Sequence, residues 1–494
     1  MSALMEAYQP IKEDRVHQPG RKGGTSTAGA VWSIVCTTVG AGIAGLPFSL
    51  GYMGWMALPL LIVIALFSNT TSKLIAKCMH MVPGKRLKSY EDIGLECFGY
   101  WGRVTVLVFQ CMTLFGVCTI FLILIGGNMS TLVPKLTSHD WVFIFVAPLI
   151  PIAWLKSMKE VSYLAFFGLF ASIVVAMVVI IKGFIIGGQD NGQQYTVVNW
   201  GGLSNAFNII CFSFGVHSVI PAIEHEMEHP HRFEFVSNCA FGVISSIYLL
   251  VAAAGYFAFG NSCCIQGNVL LNMDPENGAV KLALAFITAH VTLAYPIPLN
   301  PLCLNLEAAF GIDKLAPRSE LMWRIALRTC LVFATVFIAS VVPYFGDFLS
   351  LISALSVVAT AFVLPPLFYY VLHSRALLLH LQNGYRHYDE EAEAGVHSNE
   401  NDEPTQVTAS QSSGSAAPPP YTDYNSVQAP STPLNMTLTG DITKMMSPPW
   451  LLYLVLLVQV GVVGSIVGVY FAVLSLKDDF ENGGNPFAHY FVPP

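Results

Sequence analysis

Val39-Gly40-Ala41-Gly42-Ile43-Ala44-Gly45-Leu46-Pro47 and, much later, Ser213-Phe214-Gly215-Val216-His217-Ser218-Val219-Ile220-Pro221 decide how this chain folds. Each sets weak helix formers in the middle of an apolar run and follows them with a proline. Glycine favours broken helical geometry and proline removes a backbone donor, so both stretches are predicted to unwind locally. Unwinding exposes peptide groups, and a bilayer tolerates these only where they line a cavity or bind something.

The surrounding runs are long enough to make lipid the relevant solvent. Of 494 residues, 54% are hydrophobic and 11% charged, against about a quarter charged in ordinary soluble domains. Between Lys22 and Lys73 lie 50 residues without a charge, enough for two spans of about 20 residues joined at Leu50-Gly51-Tyr52-Met53-Gly54. Hydropathy predicts an all-α polytopic membrane protein with eleven transmembrane helices, at 27–49, 54–79, 104–132, 139–156, 161–186, 200–223, 235–259, 280–304, 323–342, 348–372 and 449–476. The fourth is the weakest: Trp141 to Leu155 is 15 residues with two prolines, and is expected to be tilted or partly re-entrant.

Basic residues set the expected orientation, because translocating them is costly. A cytoplasmic N-terminus keeps all but Lys135, Lys182, Lys281 and Lys477 of the 24 lysines and arginines in cytoplasmic segments or at their membrane ends. The first span has no small-residue cleavage site and acts as its own start signal. The expected organisation is a cytoplasmic N-terminal segment (1–24), a transmembrane core of ten spans (25–374), a cytoplasmic loop (375–447), an eleventh span (448–476) and a non-cytoplasmic tail (477–494).

Seven acids lie between Asp389 and Glu403, which accounts for the net charge of −7. The loop that holds them is polar and is read as disordered. It contains Pro418-Pro419-Pro420-Tyr421, a Pro-Pro-x-Tyr sequence of the kind that docks as a polyproline II helix on a WW domain, for instance that of a ubiquitin ligase. A plain proline-rich linker is the alternative. The eleven cysteines sit mostly within spans, and Cys263 and Cys264 in an outward loop have no partner in another such loop, so no disulfide framework is expected.

The two interrupted spans are the first and the sixth, so the first ten spans divide into a five-plus-five inverted repeat, and matching breaks point to a transporter's binding site. Close packing of small residues is the competing explanation for either break alone. Free amides at Gly40, Ala41, Gly42, Ile43 and Gly45 suit a carboxylate, helped by the helix dipole. Carbonyls freed around Phe212, Ser213, Phe214 and Gly215 suit an ammonium group. No Asp or Glu is predicted deep in a span, so the substrate is expected to be a neutral amino acid. His217 and His290 are the titratable residues placed deepest in spans, which makes them the candidates for proton coupling.

The residues from Val39 to Phe48 with Gly54-Trp55, the loop Ser89-Tyr90-Glu91-Asp92-Ile93-Gly94 with Phe98-Gly99, Phe214 to Ile220 with Met227, Pro230 and Phe233, and Pro343-Tyr344-Phe345-Gly346-Asp347 together resemble the amino acid/auxin permease family, in particular its vacuolar and vesicular amino-acid transporter branch. The resemblance covers about 27–372 and the last span. It implies the eleven-span APC/LeuT-like fold, amino-acid symport driven by protons or sodium, and a plasma or vacuolar/lysosomal membrane. Related folds place a sodium-binding hydroxyl where Thr288 and Thr292 stand in span eight. The long insert before span eleven departs from the family pattern.

Two other classes compete. His225-Glu226-Met227-Glu228-His229 matches the H-E-x-x-H pattern of a zinc protease, but Pro230 follows at once and no downstream Asp-Gly ligand is present. A sensor would use the same pocket without moving its ligand. No metal, cofactor or nucleic-acid signature accompanies these motifs.

Overall fold

The charge-free runs become helices because lipid leaves peptide groups no partner but each other. The computed structural model describes residues 24–40, 42–154, 161–189, 192–261, 267–342, 344–379 and 448–481. Among these there is no strand, only an isolated bridge between Thr25 and Met227. Nine helices are long and apolar enough to cross a membrane, and a tenth span appears when Thr27–Thr38 and Gly42–Met53 count as one bent pair. The fourth expected span, Ser138–Ala153, has 16 residues and contains Pro148 and Pro151. Its length of about 24 Å falls short of the roughly 30 Å hydrocarbon core, so among the described residues ten of the eleven expected spans are long enough to cross and the fourth is a short apolar helix.

Several ends move. Span three is part of Tyr90–Leu132, which starts well before residue 104 and kinks at Phe98 and Gly99. Ser89 and Asp92 form the capping box that fixes its start: the Ser89 hydroxyl accepts from Asp92 N at 3.1 Å and the Asp92 carboxylate accepts from Ser89 N at 3.2 Å. The tenth span runs from Phe345 through Leu379, past the boundary expected at 374, because Ala376-Leu377-Leu378-Leu379 continues as good helix former. The last helix, Pro448–Glu481, likewise outruns residue 476. Residues 373–452 form a separate unit, helical where described, at 373–379 and 448–452.

The first ten expected spans, the short fourth included, pack as two corresponding sets of five. Spans one and six, two and seven, three and eight, and four and nine pack directly on their counterparts. Span five (Val161–Gly187) packs on spans one, seven and eight, while span ten packs on six, two and three. Exchanging each span with the one five places away therefore reproduces the pattern.

The same exchange relates the two ends of span one. At its start, Thr25 N donates to the Glu226 carbonyl at 2.8 Å and Glu228 N to the Thr25 carbonyl at 2.9 Å, fastening the lead-in of span one to the end of span six. At its finish, Trp55 N donates to Thr196 O at 3.1 Å, Met56 N to Val197 O at 3.0 Å and Asn199 N to Met53 O at 2.9 Å, fastening the end of span one to the lead-in of span six. Gly54 turns this second corner with φ of +81°, where a side chain would also run into the Thr196 carbonyl.

Candidate functional site

Span one is broken where its sequence predicts. The half-helix Thr27–Thr38 starts on Ser26, whose hydroxyl accepts from Gly29 N at 3.1 Å, and ends as Val39 leaves helical geometry. Gly42–Met53 resumes at an angle of 57°. Its first amides have no preceding turn to bond to and point out of the helix N-terminus. Ile43 N reaches back to the Gly40 carbonyl at 3.3 Å. Ala41 lies outside the described residues.

Span six is broken at the same depth. Leu203–Ser213 stops at Phe214, and after Gly215 and Val216 the chain makes a 3-10 turn, His217–Val219, before Ile220–Glu226. The two breaks touch. A side-chain carbon on Gly42 would sit 2.9 Å from the Cα of Ser213, and the Ser213 hydroxyl donates to the Gly42 carbonyl at 3.3 Å and to Ile209 O at 3.0 Å. Span seven (Phe233–Phe259) ties both: the buried Tyr248 hydroxyl lies 2.8 Å from the Thr38 carbonyl and 3.0 Å from that of Ser213. Ser172 of span five donates to the Val39 carbonyl at 2.7 Å. The Phe214 ring packs edge-on to Tyr248 at 5.2 Å and stacks on Phe241 at 6.1 Å.

The freed carbonyls of span six are not idle. Phe212 O accepts from Gly215 N, Phe214 O from Val216 N, and Ser213 O from Tyr248. A carbonyl has two lone pairs, so each keeps capacity for a cationic donor. One side of the junction thus offers amides and the other carbonyls.

The family model for transmembrane amino acid transporter proteins matches residues 23–378, which include both breaks and all the spans around them. The chain belongs to the transmembrane amino acid transporter family. Curated relatives include amino acid transporter AVT1J of Arabidopsis thaliana, 28% identical over 74% of this chain and 85% of the relative. AVT1I of the same plant is 28% identical over 74% and 89%. The vesicular GABA transporter of Caenorhabditis elegans is 23% identical over 70% and 73%. Among solved structures, the nucleobase-cation-symport-1 family transporter Mhp1, closed with bromovinylhydantoin bound, aligns over 72% of this chain and 78% of its own at 13% identity and a TM-score of 0.47. The protein is a transporter, not an enzyme. The H-E-x-x-H match has no helical face to work on, since the helix ends at Glu226 and Met227 is extended.

The transporter's two candidate histidines part company. His290 of span eight (Gly278–Ala294) faces the first break: a side-chain carbon on Gly40 would lie 3.9 Å from its Nε2, and Gly168 of span five makes room for its ring. His217 turns away from the junction to span two (Ala57–Cys78), where its Nε2 meets Thr71 Oγ1 at 2.9 Å and the Ser68 carbonyl at 3.2 Å. Thr288 and Thr292 stand on the same helix as His290 and are hydrogen-bonded. The Thr288 hydroxyl donates to Leu284 O at 2.7 Å and accepts from Asn128 of span three at 3.1 Å, and that of Thr292 donates to Thr288 O at 2.7 Å. Pro418, Pro419 and Tyr421 lie outside the described residues, as do Cys263 and Cys264.

Three carboxylates at span ends, outside the intervals expected to cross the membrane, are nonetheless buried. Glu224 at the end of span six is buried and held by Arg86 and His80, each at 2.8 Å. Glu307, in the helix Pro296–Ala309 that continues span eight, pairs with buried Arg328 of span nine (Pro317–Val341) at 2.7 Å. Asp347, in the first turn of span ten, accepts from Tyr52 at 2.9 Å and from Ser475 of the last span at 2.7 Å. Hydropathy gives no sign of these pairings because the partners come from other segments of the chain. Tyr248 and Ser172 escape a sequence reading for the same reason.

Proposed function

We propose that this transporter moves neutral amino acids together with protons, binding the substrate carboxylate at the start of Gly42–Met53 and its ammonium group at the carbonyls of Phe212 to Phe214. The observation that carries the reading is the contact of the two helix breaks at Gly42 and Ser213, which brings amides and carbonyls together in a buried place. The groups hydrogen-bonded there are hydroxyls and peptides, which suits a zwitterion with no further charge.

Proton rather than sodium coupling is supported by His217. A carbonyl can only accept, so the Nε2 facing Ser68 carries the ring hydrogen and the bare Nδ1 is left to take a proton. Counterflow in proteoliposomes with a panel of labelled amino acids tests this. Neutral amino acids should exchange best, acid on the side from which substrate enters should raise uptake, and choline in place of sodium should change little. His217→Ala should flatten the pH response. Exchange of no amino acid would favour a sensor, and sodium-dependent uptake indifferent to pH would overturn proton coupling.

The N-terminus is assigned to the cytoplasm from the distribution of lysine and arginine. The printed name of the worm relative speaks of vesicles, which favours a vacuolar, lysosomal or vesicular membrane over the plasma membrane. Regulation is assigned to a WW-domain protein, such as a ubiquitin ligase, acting at Pro418, Pro419 and Tyr421. Tyr421→Ala should abolish WW-domain pull-down and lengthen residence in the membrane, by microscopy of a tagged chain, without altering uptake per molecule. Unchanged turnover and pull-down would leave a plain linker.

A further inference from the structure

We infer that a buried proton site, built around one ordered water, lies behind the sixth-span break, and that Gln110 of span three positions that water against His217. The inference rests on the proton-coupled reading and extends it to residues outside the substrate junction.

Three polar atoms, each on a side chain buried from solvent, have no hydrogen-bond partner among the described residues: His217 Nδ1, Gln110 Oε1 and Ser68 Oγ. Their residues are 1%, 6% and 0% exposed. Gln110 and Ser68 both touch the turn that carries His217. Gln110 Nε2 donates to the carbonyl of Ser218, the residue after His217, at 3.5 Å, and the carbonyl of Ser68 accepts from His217 Nε2. Nδ1 and Oε1 are both acceptors, so they cannot satisfy each other, and the species that serves both must carry at least two hydrogens. Water does this, and the Ser68 hydroxyl supplies the third partner that a buried water ordinarily has.

The backbone packed against the turn is irregular. Span ten is wound as a π-helix at Ser353–Val357 and again at Ala359–Val363, and the second of these packs on the 3-10 turn His217–Val219. The Phe362 ring lies 6.4 Å from that of His217. A π turn displaces a helix from its regular register and is frequent at functional sites. Here the displaced segment is further held by Tyr90, which donates to the Thr360 carbonyl at 2.7 Å, and by Thr113, which donates to Ser356 at 3.0 Å.

No charge competes for the proton among the described neighbours. Span two presents Ser68 and Thr71 to His217, span three presents Gln110, and span ten presents Phe362. Further along span six, Glu224 is engaged by Arg86 and His80. The step is a simple transfer. A proton from the acidic bulk enters as hydronium, an O–H bond breaks as the Nδ1–H bond forms, and water and imidazolium remain. Release on the other side reverses it.

The test is the pH profile of Gln110→Leu, Gln110→Glu and Ser68→Ala in the full-length protein in proteoliposomes, using the labelled amino acid with the largest counterflow signal. Uptake is read over about pH 5 to 8 and normalised to inserted protein. Gln110→Leu removes the acceptor, so half-maximal uptake should require about tenfold more protons while the maximal rate in acid is kept. Gln110→Glu keeps an acceptor and should stay at or above wild type near neutral pH. Ser68→Ala should shift in the direction of Gln110→Leu by less, and it carries the test if Gln110→Leu fails to insert. Uptake reduced by one factor at every pH, or an unshifted profile, would overturn the inference. If wild type responds to pH and His217→Ala flattens the response while the Gln110 and Ser68 variants do not shift it, this inference alone fails. A wild type indifferent to pH would remove the parent reading as well.

Discussion

Gly42→Val is expected to lower transport roughly five- to hundredfold while the protein still reaches its membrane. The first carbon added to Gly42 would stand 2.9 Å from both the Cα and the hydroxyl oxygen of Ser213, a distance at which backbone must move. Span six is fixed there by Tyr248, which holds the Thr38 and Ser213 carbonyls together, so the strain falls on the junction of the two breaks. Overpacking costs about 1–3 kcal/mol. Borne by the transporting state, that is roughly a five- to hundredfold loss of rate. The matched control is Gly242→Val in span seven, where nothing lies within 4 Å of the added carbon and the residue is exposed. Uptake by Gly42→Val equal to that of the control, at equal surface abundance, would remove the proposed carboxylate site.

The second large effect concerns stability. Arg328 is fully buried, with its Nε 2.7 Å from Glu307 and its Nη1 donating to the Ala153 carbonyl at 3.0 Å, so one side chain joins spans nine and eight to the short helix Ser138–Ala153. Removing one partner of a buried pair strands the other charge, at a cost of about 3–5 kcal/mol. Arg328→Met should therefore unfold at clearly lower temperature in detergent, and Glu307→Leu likewise. The double variant should recover more than half of the loss, because it leaves no lone charge and the pair itself contributes little over apolar packing. Additive losses in the double variant, or single variants as stable as wild type, would show that the pair is not what holds these helices together.

Much of this architecture is readable from local chemistry. Gly40 to Pro47 and Ser213 to Pro221 announce their breaks because glycine and proline act on their own backbone, without help from distant residues. Long uncharged runs announce spans for a similar reason. Ser353 to Val363 gives no such notice: its serines, alanines and valines read as an ordinary helix, and only packing against spans three and six winds it as π. His217 was legible as a deep titratable group, but Thr71, which meets it, is 146 positions away. The hydroxyls on Asp347 come from Tyr52 and Ser475, at opposite ends of the chain. Residue type thus identifies where the helix breaks, and tertiary approach decides what the break touches.

The two ends of span one are sealed by like with like: two peptide hydrogen bonds to the exit of span six on one side and three to its approach on the other. Neither seal uses a covalent link or a dedicated ion pair in these bonds, and peptide hydrogen bonds contribute about 0.5–1.5 kcal/mol each. Each half of span one is thereby coupled to a half of span six, so a movement on either side of the break carries two half-helices together rather than one.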